Sequence, residues 1–218
     1  MVGTSASLAK PQLPAAAAGF EHVKRDWDPG CDRWSAKILP GEFYVTRSDE
    51  AITTVLGSCI AACIRDPVTR VGGMNHFMLP EDGSPGKSSW TEGPGGLATR
   101  YGSYAMESLI NELMKLGARR DRLEVKLFGG GRILSSMTDV GQKNIAFAKD
   151  FLKLEGFKIA AEDVGDVCPR RVLYFPATGV VMLKRLRALD VSAIAQRENV
   201  YQTSLAAKPA SDDVELFD

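Results

Sequence analysis

Apolar residues recur along the chain in two periods, and the switch between them marks out the elements. Residues 51–56 (AITTVL), 59–65 (CIAACIR) and 70–79 (RVGGMNHFML) are short runs of small, β-branched and aromatic residues, which predict strands. Asp66-Pro67-Val68-Thr69 has turn chemistry, so the second and third runs form a hairpin with a short loop. In 98–116 the period lengthens: Ala105, Leu109, Leu113 and Leu116 recur at three or four, and Gly117 stops the helix. Residues 123–128 (LEVKLF) alternate as a strand and Gly129-Gly130-Gly131 breaks it. A second helix covers 141–155, with Ile145, Ala148 and Leu152 on one face and Gly156 as its stop. A strand follows at 158–163, then 171–176 and 180–185 flank Ala177-Thr178-Gly179 in the clearest hairpin of the chain. About seven strands and two helices result. The hairpins favour antiparallel pairing, hence an α+β fold over a doubly wound sheet.

The pattern fades at both ends. Residues 1–36 hold Pro11, Pro14, the run Ala15–Ala18 and the turn Asp28-Pro29-Gly30, and are expected to be an irregular N-terminal extension. The folded domain is expected over 37–190, and 191–218 as a C-terminal tail, disordered toward Asp212, Asp213, Glu215 and Asp218. The Pro- and Gly-rich stretch 80–96 is a long loop, either a lid or an insertion.

Composition narrows the chemistry. The 218 residues carry 27 Lys+Arg and 27 Asp+Glu, and with no basic excess the chain is a poor candidate for nucleic-acid binding. No apolar run approaches the roughly 20 residues of a membrane span, and no charged start leads into an apolar block as in a secretory signal. A cytoplasmic location is expected, with Cys31, Cys59, Cys63 and Cys168 as free thiols. Only His22 and His76 can supply an imidazole, which excludes a zinc site built on several histidines.

Cys59 follows Gly57-Ser58 where a strand begins. Small residues there admit a substrate and leave backbone N–H groups free to hold an oxyanion. Most cysteines are merely small buried hydrophobes, but His76 lies on the returning arm of the same hairpin. With the turn at 67–68, Cys59 and His76 oppose each other to within one or two residues of register, and opposed Cβ atoms are about 5 Å apart. An imidazole at that distance can take the thiol proton. A lone histidine is more often a core residue, and the pairing is what raises His76 above that. For a group to orient His76, Thr53 shares parity with Cys59 if no bulge intervenes, whereas Thr54 and Asn75 should point away. A strand threonine is otherwise there for its β propensity. Cys63, four residues on and roughly 13 Å away, is a core residue. Gly129–Gly131 matches no phosphate-binding spacing. Lys184, Arg185 and Arg187, and Glu162, Asp163 and Asp166, are solvated charge clusters without a division into acid and base.

The segment Leu56–Pro80 (LGSCIAACIRDPVTRVGGMNHFMLP) resembles the signature of the CheD family, the chemoreceptor glutamine deamidases of bacterial and archaeal chemotaxis. The likeness continues at Leu127-Phe128-Gly129-Gly130, Ile145, Ala161–Gly165, Phe175–Gly179 and Lys184, and spans about 38–187. It implies a layered α/β sandwich with largely antiparallel sheet, similar to the cytotoxic necrotizing factor deamidases, and no cofactor or metal. It implies Cys59 as nucleophile, His76 as base and Thr53 as orienting residue, with Gly57 and Ser58 beside the oxyanion. The implied substrates are glutamines on the cytoplasmic helices of methyl-accepting chemoreceptors, and some members also cleave glutamyl methyl esters. A CheC-type CheY phosphatase is the alternative partner, with the chain then acting as a binding module. Nothing resembles a protease motif. Gly165–Arg171 departs from the family, which usually carries more glycine where Cys168-Pro169 stands here.

Overall fold

The computed structural model describes residues 10–80, 97–133, 140–186 and 191–207. Loop positions 81–96, Arg187 and the acidic end lie outside the described residues.

Among the described residues, ten strands and three α-helices form a mixed α+β fold with two open sheets. The first sheet joins β1 (Arg25–Asp28), β2 (Arg33–Lys37), β4 (Ala51–Leu56), β9 (Arg170–Phe175) and β10 (Val180–Arg185) in that order. The second runs β3 (Phe43–Thr46), β6 (Gly72–Asn75), β5 (Ile60–Arg65), β7 (Glu124–Gly129) and β8 (Ile159–Val164). Pairing is antiparallel except at β2–β4 and β7–β8. Both faces of β5 are buried from Ile60 to Ile64. The helices α1 (Leu97–Lys115) and α2 (Val140–Leu154) pack on the second sheet. Ile52, Leu56, Val172 and Tyr174 of the first sheet share one core with β5. Phe77, just past β6, meets Phe147 of α2 edge-on, with ring centroids 6.1 Å apart. Among the described residues no helix is long and apolar enough to cross a membrane.

Both helices and most internal strands lie within a residue or so of the sequence expectation, but the expected strand 70–79 is ordered as a strand only over Gly72–Asn75, with an isolated bridge at Phe77. The ends do not. Residues 1–36 are not irregular throughout: β1 and β2 form a hairpin across the Asp28-Pro29-Gly30 turn, with Trp27 opposite Trp34 and their rings edge-on at 5.8 Å. β2 then extends the first sheet beside β4, placing Ala36 against Ile52. A buried network fastens it, Arg25 pairing with Glu50 at 2.9 Å and Tyr44 donating to the same carboxylate at 2.8 Å. The expected domain start at 37 therefore falls on the last residue of a strand. At the other end, 191–207 is not tail but a third helix, α3 (Val191–Ala207). Its inward positions, Ile194, Ala195, Glu198 and Leu205 with Tyr201 and Gln202 half-buried, follow helical spacing. They alternate apolar with polar residues, so hydropathy alone hides the helix.

Candidate active site

β4 and β5 belong to different sheets, and the chain crosses between them at Gly57-Ser58-Cys59. Each carbonyl of this crossing is tied off on one side. Gly57 O accepts from Gly131 N at 2.7 Å, Ser58 O from Asn144 Nδ2 at 2.8 Å, and Cys59 O from Gly130 N at 2.7 Å. All peptides here are trans, so each N–H points opposite to the carbonyl of the same peptide. Fixing the Gly57 and Ser58 carbonyls therefore aims the Ser58 and Cys59 N–H groups the other way, into a shared pocket with that of Gly57. The glycines at 129–131 permit this close approach: a Cβ on Gly129 would stand 2.3 Å from Cys59 O.

The pocket is occupied by the chain itself. Glu198, in the middle of α3, accepts from Gly57 N at 2.8 Å and Cys59 N at 3.3 Å with Oε1. Its Oε2 accepts from Ser58 N at 2.8 Å and Ser58 Oγ at 2.7 Å. A Cβ on Gly57 would lie 2.8 Å from this carboxylate, so only glycine leaves room. Among the described residues Glu198 forms no ion pair. Below it on α3, Tyr201 packs on Gly41 and shares a hydroxyl hydrogen bond with Tyr101 of α1.

His76 follows β6 and is buried, its backbone held by Gly41 N and Glu42 O. The hairpin register puts Cys63 opposite Met74 and Ile60 opposite Phe77, two residues from the expected sum. Between these pairs the Asn75 side chain replaces a ladder bond, its Oδ1 accepting from Ala62 N at 2.8 Å. Cys59, His76 and Glu198 nevertheless bring their polar side-chain atoms within 4.8 Å of one another.

The imidazole rests on Thr54, whose Oγ1 is 2.7 Å from His76 Nδ1. The same hydroxyl donates its one proton to Ile38 O at 2.9 Å. It must then accept from Nδ1–H, which leaves Nε2 with a bare lone pair. Nε2 is buried and, among the described residues, has no partner.

Thr53 does not take this place. Its hydroxyl donates to Val172 O at 2.9 Å and accepts from Arg171. Strand parity holds only within one strand, and the crossing at 57–59 separates Thr53 from Cys59 by a change of sheet. Thr54 instead shares a face with the buried Ile52 and Leu56, the face turned toward the second sheet and His76.

Burial pushes the Cys59 thiol well up, and the Glu198 carboxylate adds to the effect by its charge and by accepting from the thiol. Burial likewise lowers the His76 pKa, with Glu198 opposing and Arg197 assisting. With α3 seated, the pair is thus an un-ionised thiol beside a neutral imidazole. Beside His76 lies a cavity of about 370 Å³ bordered by Lys37, Thr53, Thr54, Arg171 and Arg197, so its charged rim is basic. Cys59, His76 and Glu198 are donor types of a zinc site, yet both carboxylate oxygens already accept hydrogen bonds from the 57–59 crossing. Thiol, bare imidazole nitrogen and converging N–H groups are instead the parts for nucleophilic acyl chemistry. Thr54, Asn144 and Glu198 were not singled out by sequence reasoning as site residues. The alternation Ile52-Thr54-Leu56 was the available signal for the first. An asparagine on the apolar face of α2 was the signal for the second.

Comparison with known proteins agrees on one family. The CheD family model, described as CheD chemotactic sensory transduction, matches residues 78–185, beginning two residues past His76. A probable chemoreceptor glutamine deamidase CheD of Hydrogenovibrio crunogenus is 54% identical over 196 residues, which is 89% of this chain and all of that protein. The protein of the same name from Hahella chejuensis is 49% identical over 209 residues, 95% of this chain and 97% of its own. That of a Janthinobacterium species is 53% identical over 193 residues, 88% and 93% of the two chains.

Proposed function

The chain belongs to the CheD family, and we propose that it hydrolyses the side-chain amide of specific glutamines in methyl-accepting chemoreceptors, leaving glutamates. The observation that carries this reading is the pocket of three N–H groups beside Cys59, which holds a side-chain carboxylate, the functional group of the product. In the reaction, the substrate amide oxygen takes the place of the Glu198 carboxylate. His76 Nε2 accepts the Cys59 proton and the thiolate attacks the amide carbon. The N–H groups of Gly57, Ser58 and Cys59 hold the oxyanion, which carries more charge than the ground-state carbonyl. Protonated His76 gives its proton to the departing ammonia. Water, activated by His76, then cleaves the thioester and frees Cys59. Thr54 is the positioning residue that keeps Nε2 unprotonated, in the role expected of Thr53. A glutamyl methyl ester fits the same pocket with methanol as leaving group. The layered fold is that of the cytotoxic necrotizing factor deamidases in this reading, and the reaction belongs in the cytoplasm, with the receptor helices.

The test is a recombinant receptor cytoplasmic fragment incubated with wild type or Cys59→Ala, followed by peptide mass spectrometry for glutamine converted to glutamate. Conversion by wild type alone is expected. Conversion by neither chain, with the Glu198 variants below also inactive, overturns the reading and leaves a binding role toward a CheC-type phosphatase. Thr54→Val should lower kcat by about a hundredfold with little change in KM, as for loss of an oriented base, while Thr53→Val stays near wild type.

A further inference from the structure

Glu198 is a peculiar residue to bury. It is almost fully enclosed at the centre of α3, without an ion pair among the described residues, and an unpaired buried carboxylate is costly unless its oxygens are fully hydrogen-bonded. Here its oxygens accept from the N–H groups of Gly57, Ser58 and Cys59, which the deamidase reading assigns to the oxyanion, and from the Ser58 hydroxyl beside them. The rest of the α3 inner face is weakly apolar. Gln202 Nε2 is buried with no partner among the described residues, and among those residues Ile194, Ala195 and Leu205 are the well-buried apolar positions, with Tyr201 half-buried against the core. The arrangement is a specific plug on a loosely held helix.

We propose that α3 is a built-in competitor of the substrate, seating Glu198 as the reaction's own product in the N–H pocket, so that a protein substrate must lift α3 to reach Cys59. This rests on the deamidase reading, since it is the glutamate product that Glu198 imitates. The seated helix also accounts for the idle state of the pair: it completes the burial that, with the carboxylate's charge, keeps the proton on sulfur, and it fills the place of the substrate carbonyl. Displacing α3 removes the carboxylate and opens the pocket in one movement.

The inference predicts that the enzyme will act on its own helix once the product group becomes an amide. In Glu198→Gln, attack of Cys59 on the introduced side-chain amide, loss of ammonia and hydrolysis by water would restore glutamate at that position and regenerate the thiol. Peptide mass spectrometry of the purified full-length variant should show this conversion, and Cys59→Ala in the same chain should abolish it. Persistence of the introduced amide in a chain that converts receptor glutamines overturns the product-like seating. In a second measurement, Glu198→Ala should raise kcat/KM on the receptor fragment by roughly tenfold or more, as expected if the open state is a minor population. A synthetic peptide of residues 191–207 should inhibit that variant, and the same peptide carrying Glu198→Ala should not. An unchanged kcat/KM in Glu198→Ala beside an active wild type sinks the competitor and leaves the deamidase standing. Glutamine conversion by none of these chains sinks the deamidase itself.

Discussion

Two buried carboxylates stand at opposite ends of β5 and gather backbone N–H groups in similar fashion, yet they are held very differently. Asp66 closes the hairpin turn. It accepts from Val68 N at 2.9 Å and Thr69 N at 3.4 Å within its own loop, from Arg119 N at 3.0 Å, and pairs with the Arg122 guanidinium. Glu198 accepts from four donors, but reaches them from about 140 residues away and has no ion pair among the described residues. The difference lies in the counter-charge and the tether. Asp66 joins the turn to the segment after α1, and removing it would strand Arg122. Glu198 is held by hydrogen bonds that water or a substrate carbonyl can reproduce, and that exchangeability suits a group meant to leave.

The largest test of this contrast is stability. Asp66→Ala should cost about 2 kcal/mol in urea unfolding, since it leaves the N–H groups of Val68, Thr69 and Arg119 without their acceptor and Arg122 without its partner. Glu198→Ala should cost under about 1 kcal/mol, since α3 can open without the core. The reverse order would break the comparison.

Acid should separate the two ends of the hairpin next. Burial holds the His76 pKa at about 4 against 6.5 unfolded, so the unfolded chain binds the proton first. The stability owed to neutral His76 is complete above 6.5 and is lost as pH falls toward 4. Burial alone would raise the Asp66 carboxyl, but the N–H groups of Arg119, Val68 and Thr69 and the Arg122 side chain outweigh it and hold it at about 2. Its contribution is complete above 3.8 and is lost as pH falls toward 2. Unfolding midpoints measured against pH should show both declines, and Asp66→Asn should erase only the lower one.

The smallest effect is kinetic. Glu198 raises the Cys59 pKa through its charge and its hydrogen bond. Burial is the larger cause of the raised pKa, so Glu198→Ala should speed iodoacetamide alkylation of Cys59 at neutral pH through a larger thiolate fraction without restoring a free thiol's rate. Asp66→Asn should leave that rate unchanged.

Much of this was legible in the chain, for reasons that also explain what was not. The hairpin between Cys59 and His76 has a turn signal and apolar arms, so local chemistry brings both residues to one place. Thr54 was hidden because its partner lies across a change of sheet, where counting along a strand has no meaning. β1 and β2 were hidden because Trp27 and Trp34 sit among charged neighbours, and their pairing is side chain against side chain rather than apolar run against apolar run. Glu198 was hidden because a helix whose inner face is half polar announces no periodicity, and the same polarity makes it removable.

The crossing at Gly57–Cys59 has a consequence for the order in which this protein becomes dangerous to other proteins. Thr54 comes from one sheet, His76 from the other, and Cys59 from the span between them. A nascent or half-assembled chain with only one sheet in place has no oriented imidazole beside its thiol, and the Asn144 that aims the Cys59 amide arrives on a later helix. With the catalytic roles proposed above, reactivity is therefore withheld until both layers have docked. Deamidase turnover recovered during refolding would serve as a clock for the last step of assembly rather than for the first collapse.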